Sequence, residues 1–300
     1  MDETCVVYVV SSDWQFQAYV AIHSLLSSGS DIDRVIVLMV GGGGDMIKQL
    51  HGPVVVREVP DINPDFFLAN KTQITSIDAD RLVFLDADTA VLRPLEHVWE
   101  NCDSDVIARV DNTYEKEDFP TNRWNDALSL VDAPEGPYLS SGFIVFQNAA
   151  QEKIGNAWRK ICSTYRKQYK PKQQSSPLTR RFAEQMAFGA SVFQADLSYK
   201  LMSPEEHAYA WTLQFDELGN EVHPIVYHAC GPYVDQAVRL ERKDLIDFSV
   251  PVVSSRLHPY YSRLQYRRWL RWAKDIMKSM IMDGVTGAKE GSRFQNPIEV

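Results

Sequence analysis

The run Leu82-Val83-Phe84-Leu85 is short, wholly apolar, and closed by charge on both sides, with Asp80-Arg81 before it and Asp86 after it. A strand with one wet face alternates polar and apolar residues, whereas an unbroken apolar run of this length fits a strand covered on both faces, as in a parallel sheet flanked by helices. Residues 5–10 and 35–40 are apolar, β-branched-rich runs of the same kind, and 54–59 is a further Val-rich run interrupted by Arg57-Glu58, all spaced by stretches long enough for helices. After the first run, Ser11-Ser12-Asp13 offer side chains suited to helix capping, and Tyr19, Ile22, His23 and Leu26 follow at helical spacing. Together these predict βαβ units and an α/β domain with a mostly parallel central sheet.

Further along, residues 106–110 and 142–146 read as strands, 154–169 and 178–189 as helices, and 225–228 as a last short strand. Between them the stretch 112–138, with Pro120, Pro134 and Pro137, reads as one long functional loop. The run Gly41 to Gly44 reads as a turn, because it lacks the Gly-Lys-Ser/Thr ending of a phosphate loop.

Charge and cysteine usage exclude several classes. The net charge of −9 disfavours polyanions, so nucleic acid is not an expected partner. No apolar run approaches eighteen residues, and the first is too short and too acidic in its flank for a signal peptide. Cys5, Cys102, Cys162 and Cys230 form no C-x-x-C pair, which argues against zinc ribbons and disulfide scaffolds and for a reduced, cytoplasmic setting.

The motif Asp-x-Asp occurs four times, at 31/33, 78/80, 86/88 and 103/105. Three of these precede apolar runs, where carboxylates ordinarily solvate a turn or cap a chain end. Asp86-Ala87-Asp88 instead follows Leu85 directly, which puts it at the carboxyl end of a central strand, where open α/β sheets bind ligands. Two carboxylates there repel unless a cation joins them or they splay into water as a solvated turn, and a divalent ion in that place would bridge the oxygens of a diphosphate.

The segment from Arg81 to Leu92 resembles the D-x-D region of GT-A glycosyltransferases, and most of all family 8, which includes glycogenin and the bacterial lipooligosaccharide galactosyltransferases. Other segments match in order: Val9-Val10-Ser11-Ser12-Asp13 with Tyr19, Tyr138 to Gln147 with Ser140 where Asn is usual, Glu184-Gln185, and Tyr227-His228-Ala229-Cys230-Gly231. The resemblance spans about residues 5 to 235. It implies a GT-A fold (Rossmann-like, helices flanking the sheet) and a retaining, metal-dependent transfer of a hexose from a nucleotide sugar, UDP-linked by expectation, to a hydroxyl of a glycan, glycolipid or protein acceptor. It implies Mn2+ or Mg2+ on Asp86, Asp88 and His228, and catalytic roles for Gln185, Glu184 and Asp88. The donor would contact Ser11, Asp13, Lys71, Asp86, Ala87, Ser141, Gly142 and Gly231. The family's late motif continues to a lysine where this chain has Val234, and Arg239 is expected to replace it.

The expected organisation is a GT-A domain over 1–250, with a nucleotide-sugar-binding half at 1–110 and an acceptor half at 111–250, then a basic helical tail at 251–300. Residues 256–282 carry seven Lys or Arg against Asp275 alone, and Tyr266, Trp269, Leu270, Ala273, Ile276, Met277, Met280 and Ile281 recur at helical spacing. Such a stretch suits either an anionic membrane surface or the acidic body of the domain. Two rival functions remain: a nucleotide-sugar or glycan binding module with weak or no turnover, and a haloacid-dehalogenase-type phosphatase, whose motif requires Thr or Val where Ala90 stands. His207, Tyr209, Trp211 and Phe215 offer a surface for stacking on an acceptor sugar or, more ordinarily, a packed core.

Overall fold

The computed structural model describes residues 3–111, 121–168, 177–209 and 224–228. The strands are β1 (Thr4–Ser11), β2 (Arg34–Val40), β3 (Val54–Val59), β4 (Arg81–Leu85), β5 (Thr89–Val91), β6 (Val106–Val110), β7 (Leu139–Gln147), β8 (Tyr199–Leu201), β9 (His207–Tyr209) and β10 (Val226–His228). The α-helices are α1 (Gln15–Leu26), α2 (Thr121–Leu130), α3 (Ala150–Gln168) and α4 (Pro177–Gln194), and a 3-10 stretch covers Phe67–Ser76.

A seven-stranded sheet runs in the order β3-β2-β1-β4-β7-β6-β8. Its β1, β2, β3 and β4 pair in parallel, β7 is antiparallel to both β4 and β6, and β8 is parallel to β6. The expected mostly parallel α/β architecture is therefore present, with β7 the reversed strand. Successive residues of β1 and β4 enter different cores: Val7, Leu82 and Phe84 pack on one face of the sheet with Trp158, Tyr165 and Phe188, while Tyr8, Val83 and Leu85 pack on the other with Ile22 and Leu25. Each of these side chains is fully buried, worth about 1.5–3 kcal/mol apiece, which is why the Leu82 to Leu85 run can be apolar throughout.

The reversal of β7 decides what stands beside the end of β4. With Leu85 paired to Phe143, the start of β7 meets the turn that follows β4, and the Asp86 amide donates to the Gly142 carbonyl at 2.9 Å. A second, three-stranded sheet, β5-β10-β9, joins β10 antiparallel to β5, so His228 is paired with Thr89 just beyond the acidic turn.

Two expectations need correction. The stretch 112–138 is not loop throughout: Thr121–Leu130 is helical, held by Trp124, Ala127 and Leu128, which are buried at i, i+3 and i+4. The capping role for the first turn is not made, since Ser12–Trp14 forms a 3-10 turn, neither it nor α1 has a side-chain cap, and Asp13 is exposed. Gly41 to Gly44 do form the turn after β2, all four with φ between 75° and 101°, a conformation that non-glycine residues rarely adopt. Among the described residues no helix is long and apolar enough to cross a membrane.

Candidate active site

Asp86 and Asp88 flank Ala87 in the turn between β4 and β5. The Thr89 amide and hydroxyl both donate to the Asp86 carbonyl, at 3.1 and 2.7 Å, which closes the turn and aims the two carboxylates together. His228 arrives from β10 with Nε2 at 3.2 Å from Asp88 Oδ1 and 3.9 Å from Asp86 Oδ2. The three groups each offer one ligand atom within 4.8 Å of the others. Two carboxylate oxygens and an imidazole nitrogen are a donor set suited to Mn2+ or Mg2+, with further positions left for ligand oxygens.

Gly142 makes room for this approach. A Cβ at that position would lie 2.2 Å from His228 Cε1 and 3.3 Å from Asp86 Oδ2, so no larger residue fits without moving the imidazole.

Lys71, from the 3-10 stretch before β4, is 7% exposed rather than a solvated surface lysine. Its Nζ lies 2.8 Å from Asp86 Oδ1, donates to Asp86 Oδ2 at 2.9 Å, and stands 3.6 Å from Glu184 Oε2. Burial alone would lower its pKa, but the Asp86 and Glu184 carboxylates outweigh it and hold the ammonium charged well above the ordinary lysine value. Asp86 is pushed up by burial, with Lys71 pulling the other way, while at Asp88 burial is outweighed by His228, which holds that carboxyl below its usual range.

Glu184 and Gln185 come from α4. Glu184 is 1% exposed, accepts from the Ser141 hydroxyl at 2.9 Å through Oε2, and its Oε1 has no hydrogen-bond partner among the described residues. Burial raises its pKa to about 7, against the opposing pull of Lys71. Gln185 is clamped at both ends of its amide: Nε2 donates to Asp111 Oδ2 at 2.8 Å, and Oε1 accepts from the Ser141 amide at 3.4 Å.

The structure thus brings Lys71, Asp86, Asp88, Ser141, Gly142, Glu184, Gln185 and His228 to one end of the sheet. Ala87 lies buried between the two aspartates, and Ser11 and Asp13 lie at and beyond the carboxyl end of β1, the strand next to β4. Gly231, Val234, Arg239, Trp211, Phe215, Cys230 and the tail at 251–300 lie outside the described residues. His207 and Tyr209 are packed in the interior, at 0% and 3% exposure, and not offered as a sugar-stacking surface. The sequence points to Asp111, with Arg109 and the 112–138 loop, for acceptor contacts, and the structure shows Asp111 as the partner of Gln185 across 74 residues; Thr89, the lock of the acidic turn, has only the position after Asp-x-Asp to mark it.

No protein-family model matches the chain, and no curated protein sequence matches it. Solved structures do match. The galactosyltransferase LgtC, in complex with donor and acceptor sugar analogs, superposes with a TM-score of 0.54 at 15% identity, over 79% of this chain and 95% of that one. An active-site mutant of LgtC gives 0.52 at 16% identity, over 76% and 88%. The bifunctional glycosyltransferase WbbM in its apo form gives 0.55 at 14% identity, over 80% of this chain and 50% of that one.

Proposed function

From a chain that has the GT-A glycosyltransferase fold and resembles family 8 in its ordered motifs, we infer a metal-dependent, retaining transfer of a hexose from a nucleotide sugar, UDP-linked, to a hydroxyl of a glycan, glycolipid or protein acceptor. The observation that carries this reading is the convergence of Asp86, Asp88 and His228 at the carboxyl end of β4, beside the buried Glu184 and Gln185. Asp86, Asp88 and His228 would hold Mn2+ or Mg2+. When bound, that cation supplies positive charge to the diphosphate as it departs with the electrons of the anomeric bond.

The remaining residues position the donor. Lys71 lies against Asp86 and adds a permanent positive charge at the diphosphate end. Glu184 Oε1 is a buried acceptor with no partner among the described residues, the property required to receive a donor-sugar hydroxyl. Gln185, fixed by Asp111 and Ser141, presents a neutral amide that neither takes nor gives a proton and so keeps one orientation beside the anomeric carbon. Ser141 and Gly142 line the same edge, with Ser11 and Asp13 serving the nucleoside and Gly231 the diphosphate. The tail at 251–300 would dock on an anionic membrane surface at its cytoplasmic face, which suits a lipid-linked acceptor.

Nucleoside-diphosphate release from a panel of nucleotide sugars, with Mn2+ or with chelator, tests the reading. The expected result is slow hydrolysis of one donor that needs both the cation and Asp88 and is lost in Asp88→Asn. Release unaffected by chelator, or binding of no nucleotide sugar by the folded protein, would overturn it.

A further inference from the structure

We propose that His207 is a positioning residue for the cation site: its ring, stacked on His228, fixes the plane in which the His228 imidazole faces Asp86 and Asp88. This inference rests on the reading of those three side chains as metal ligands.

His228 ends a strand of three residues, and an edge this short does not by itself hold a ring in one orientation. Parallel pairing of β9 with β10 places Tyr209 beside His228 and His207 beside Val226. The His207 and His228 rings then lie nearly parallel, 13° apart with centroids at 5.6 Å, and the Tyr209 ring packs on both, at 4.8 Å from His207 and 5.6 Å from His228. Phe143 of β7 meets His207 edge-on at 5.5 Å and 76°, so the stack is buttressed by the main sheet. A Cβ on Gly142 would lie 2.2 Å from Cε1 and 2.6 Å from Nδ1 of His228, so the imidazole occupies the space that a side chain there would take, with the His207 and Tyr209 rings packed on it.

His207 has no exposed surface, and neither of its ring nitrogens has a hydrogen-bond partner among the described residues. Its side chain therefore acts through its faces and edges rather than through a donor or acceptor. The backbone around it is pinned as well. Arg109 sits at the irregularity where β6 shifts register against β7, donates to the His207 carbonyl, and lays its guanidinium over the Tyr209 ring at 4.7 Å. Loss of the hydrogen-bond partners that orient a ligating imidazole typically costs about 10–100-fold in metal affinity, and the lower end of that range is the scale expected for a ring that orients by packing.

The test is Mn2+ titration, followed by calorimetry, into the full chain carrying His207→Ala, His207→Leu or His207→Phe, with thermal unfolding recorded for each. A flat ring should serve and an apolar side chain without one should not. His207→Phe is expected to bind Mn2+ within about threefold of the wild type, while His207→Leu and His207→Ala weaken binding by about tenfold or more. Nucleoside-diphosphate release should show the same order as a rise in the Mn2+ concentration for half-maximal rate, with the rate at saturating Mn2+ nearly kept. Wild-type affinity in His207→Leu would overturn the proposal, and so would equal losses in Leu and Phe, which would assign the effect to the nitrogens. If His207→Ala does not fold, the Leu and Phe variants carry the comparison. A wild-type chain that binds no Mn2+ would instead remove the metal-ligand reading, and this proposal with it.

Discussion

The same motif stands at both ends of the central sheet and is treated in opposite ways. At the amino ends of β2, β4 and β6, the second carboxylate of each Asp-x-Asp is satisfied by backbone: Asp33 accepts from the Thr4 amide at 2.7 Å, Asp80 from the Glu3 amide at 3.0 Å, and Asp105 from the Ser198 amide and hydroxyl at 3.1 and 2.8 Å. These contacts tie a strand start to its neighbour and leave the charge near water. At the carboxyl end of β4 the half-buried Asp86 and Asp88 face the buried Lys71 and His228, with the buried Glu184 at 3.6 Å from the Lys71 ammonium. One end ties carboxylates to neighbouring backbone; the other gathers carboxylates, an ammonium and an imidazole in one place. The difference shows that position on the sheet, not the motif itself, decides whether the carboxylates tie chain ends or gather with other charged side chains.

The largest expected effect is from Asp88→Asn, which should cut metal-dependent turnover by about 1,000-fold with little change in thermal stability, checked by donor-release kinetics and calorimetric unfolding.

Next comes the opposite pH dependence of the two ends. Glu184 has its pKa raised from 4.5 to about 7, so the folded state binds its proton more tightly than the unfolded chain does. That contribution is fully present below pH 4.5 and is lost as pH rises through about 7, on the order of 3 kcal/mol for the metal-free protein. Glu184→Gln should remove this slope, and urea unfolding between pH 4 and 8 measures it. Asp105 has its pKa lowered from 3.8: burial alone would raise it, but the Ser198 hydrogen bonds outweigh that. Its contribution is therefore present above 3.8 and lost only in more acid solution.

Smaller again, Gly142→Ala should push His228 away and weaken Mn2+ binding by about 10–100-fold, read by titration with the metal alone. The smallest effect is expected from Asp33→Ala, which removes the acceptor of the Thr4 amide: about 1–2 kcal/mol of stability, with turnover per folded molecule unchanged.

Much of this arrangement is visible in the amino-acid order because long elements carry their own period. The strands of the main sheet from β1 to β4, together with β6 and β7, and the helices α1, α3 and α4 are all marked by apolar runs or stripes. The rest depends on partners. β5, β8 and β9 are three residues each, too short to show alternation, and exist because β10 and β6 pair with them. α2 has a stripe of only three buried residues between prolines. Within the site, Asp86 and Asp88 are legible from following an apolar run, whereas Lys71 resembles any surface lysine until the 3-10 stretch folds it under β4. The His207 stack follows from the register of two short strands, which no local spacing encodes.

The most direct test is Mn2+ titration into the full chain by calorimetry, comparing wild type, Asp80→Asn and Asp88→Asn. Saturable binding that survives Asp80→Asn and is lost in Asp88→Asn is the predicted result. Binding that is absent from the wild type, or that weakens equally in both variants, would contradict the assignment of the carboxyl end of β4 as the site.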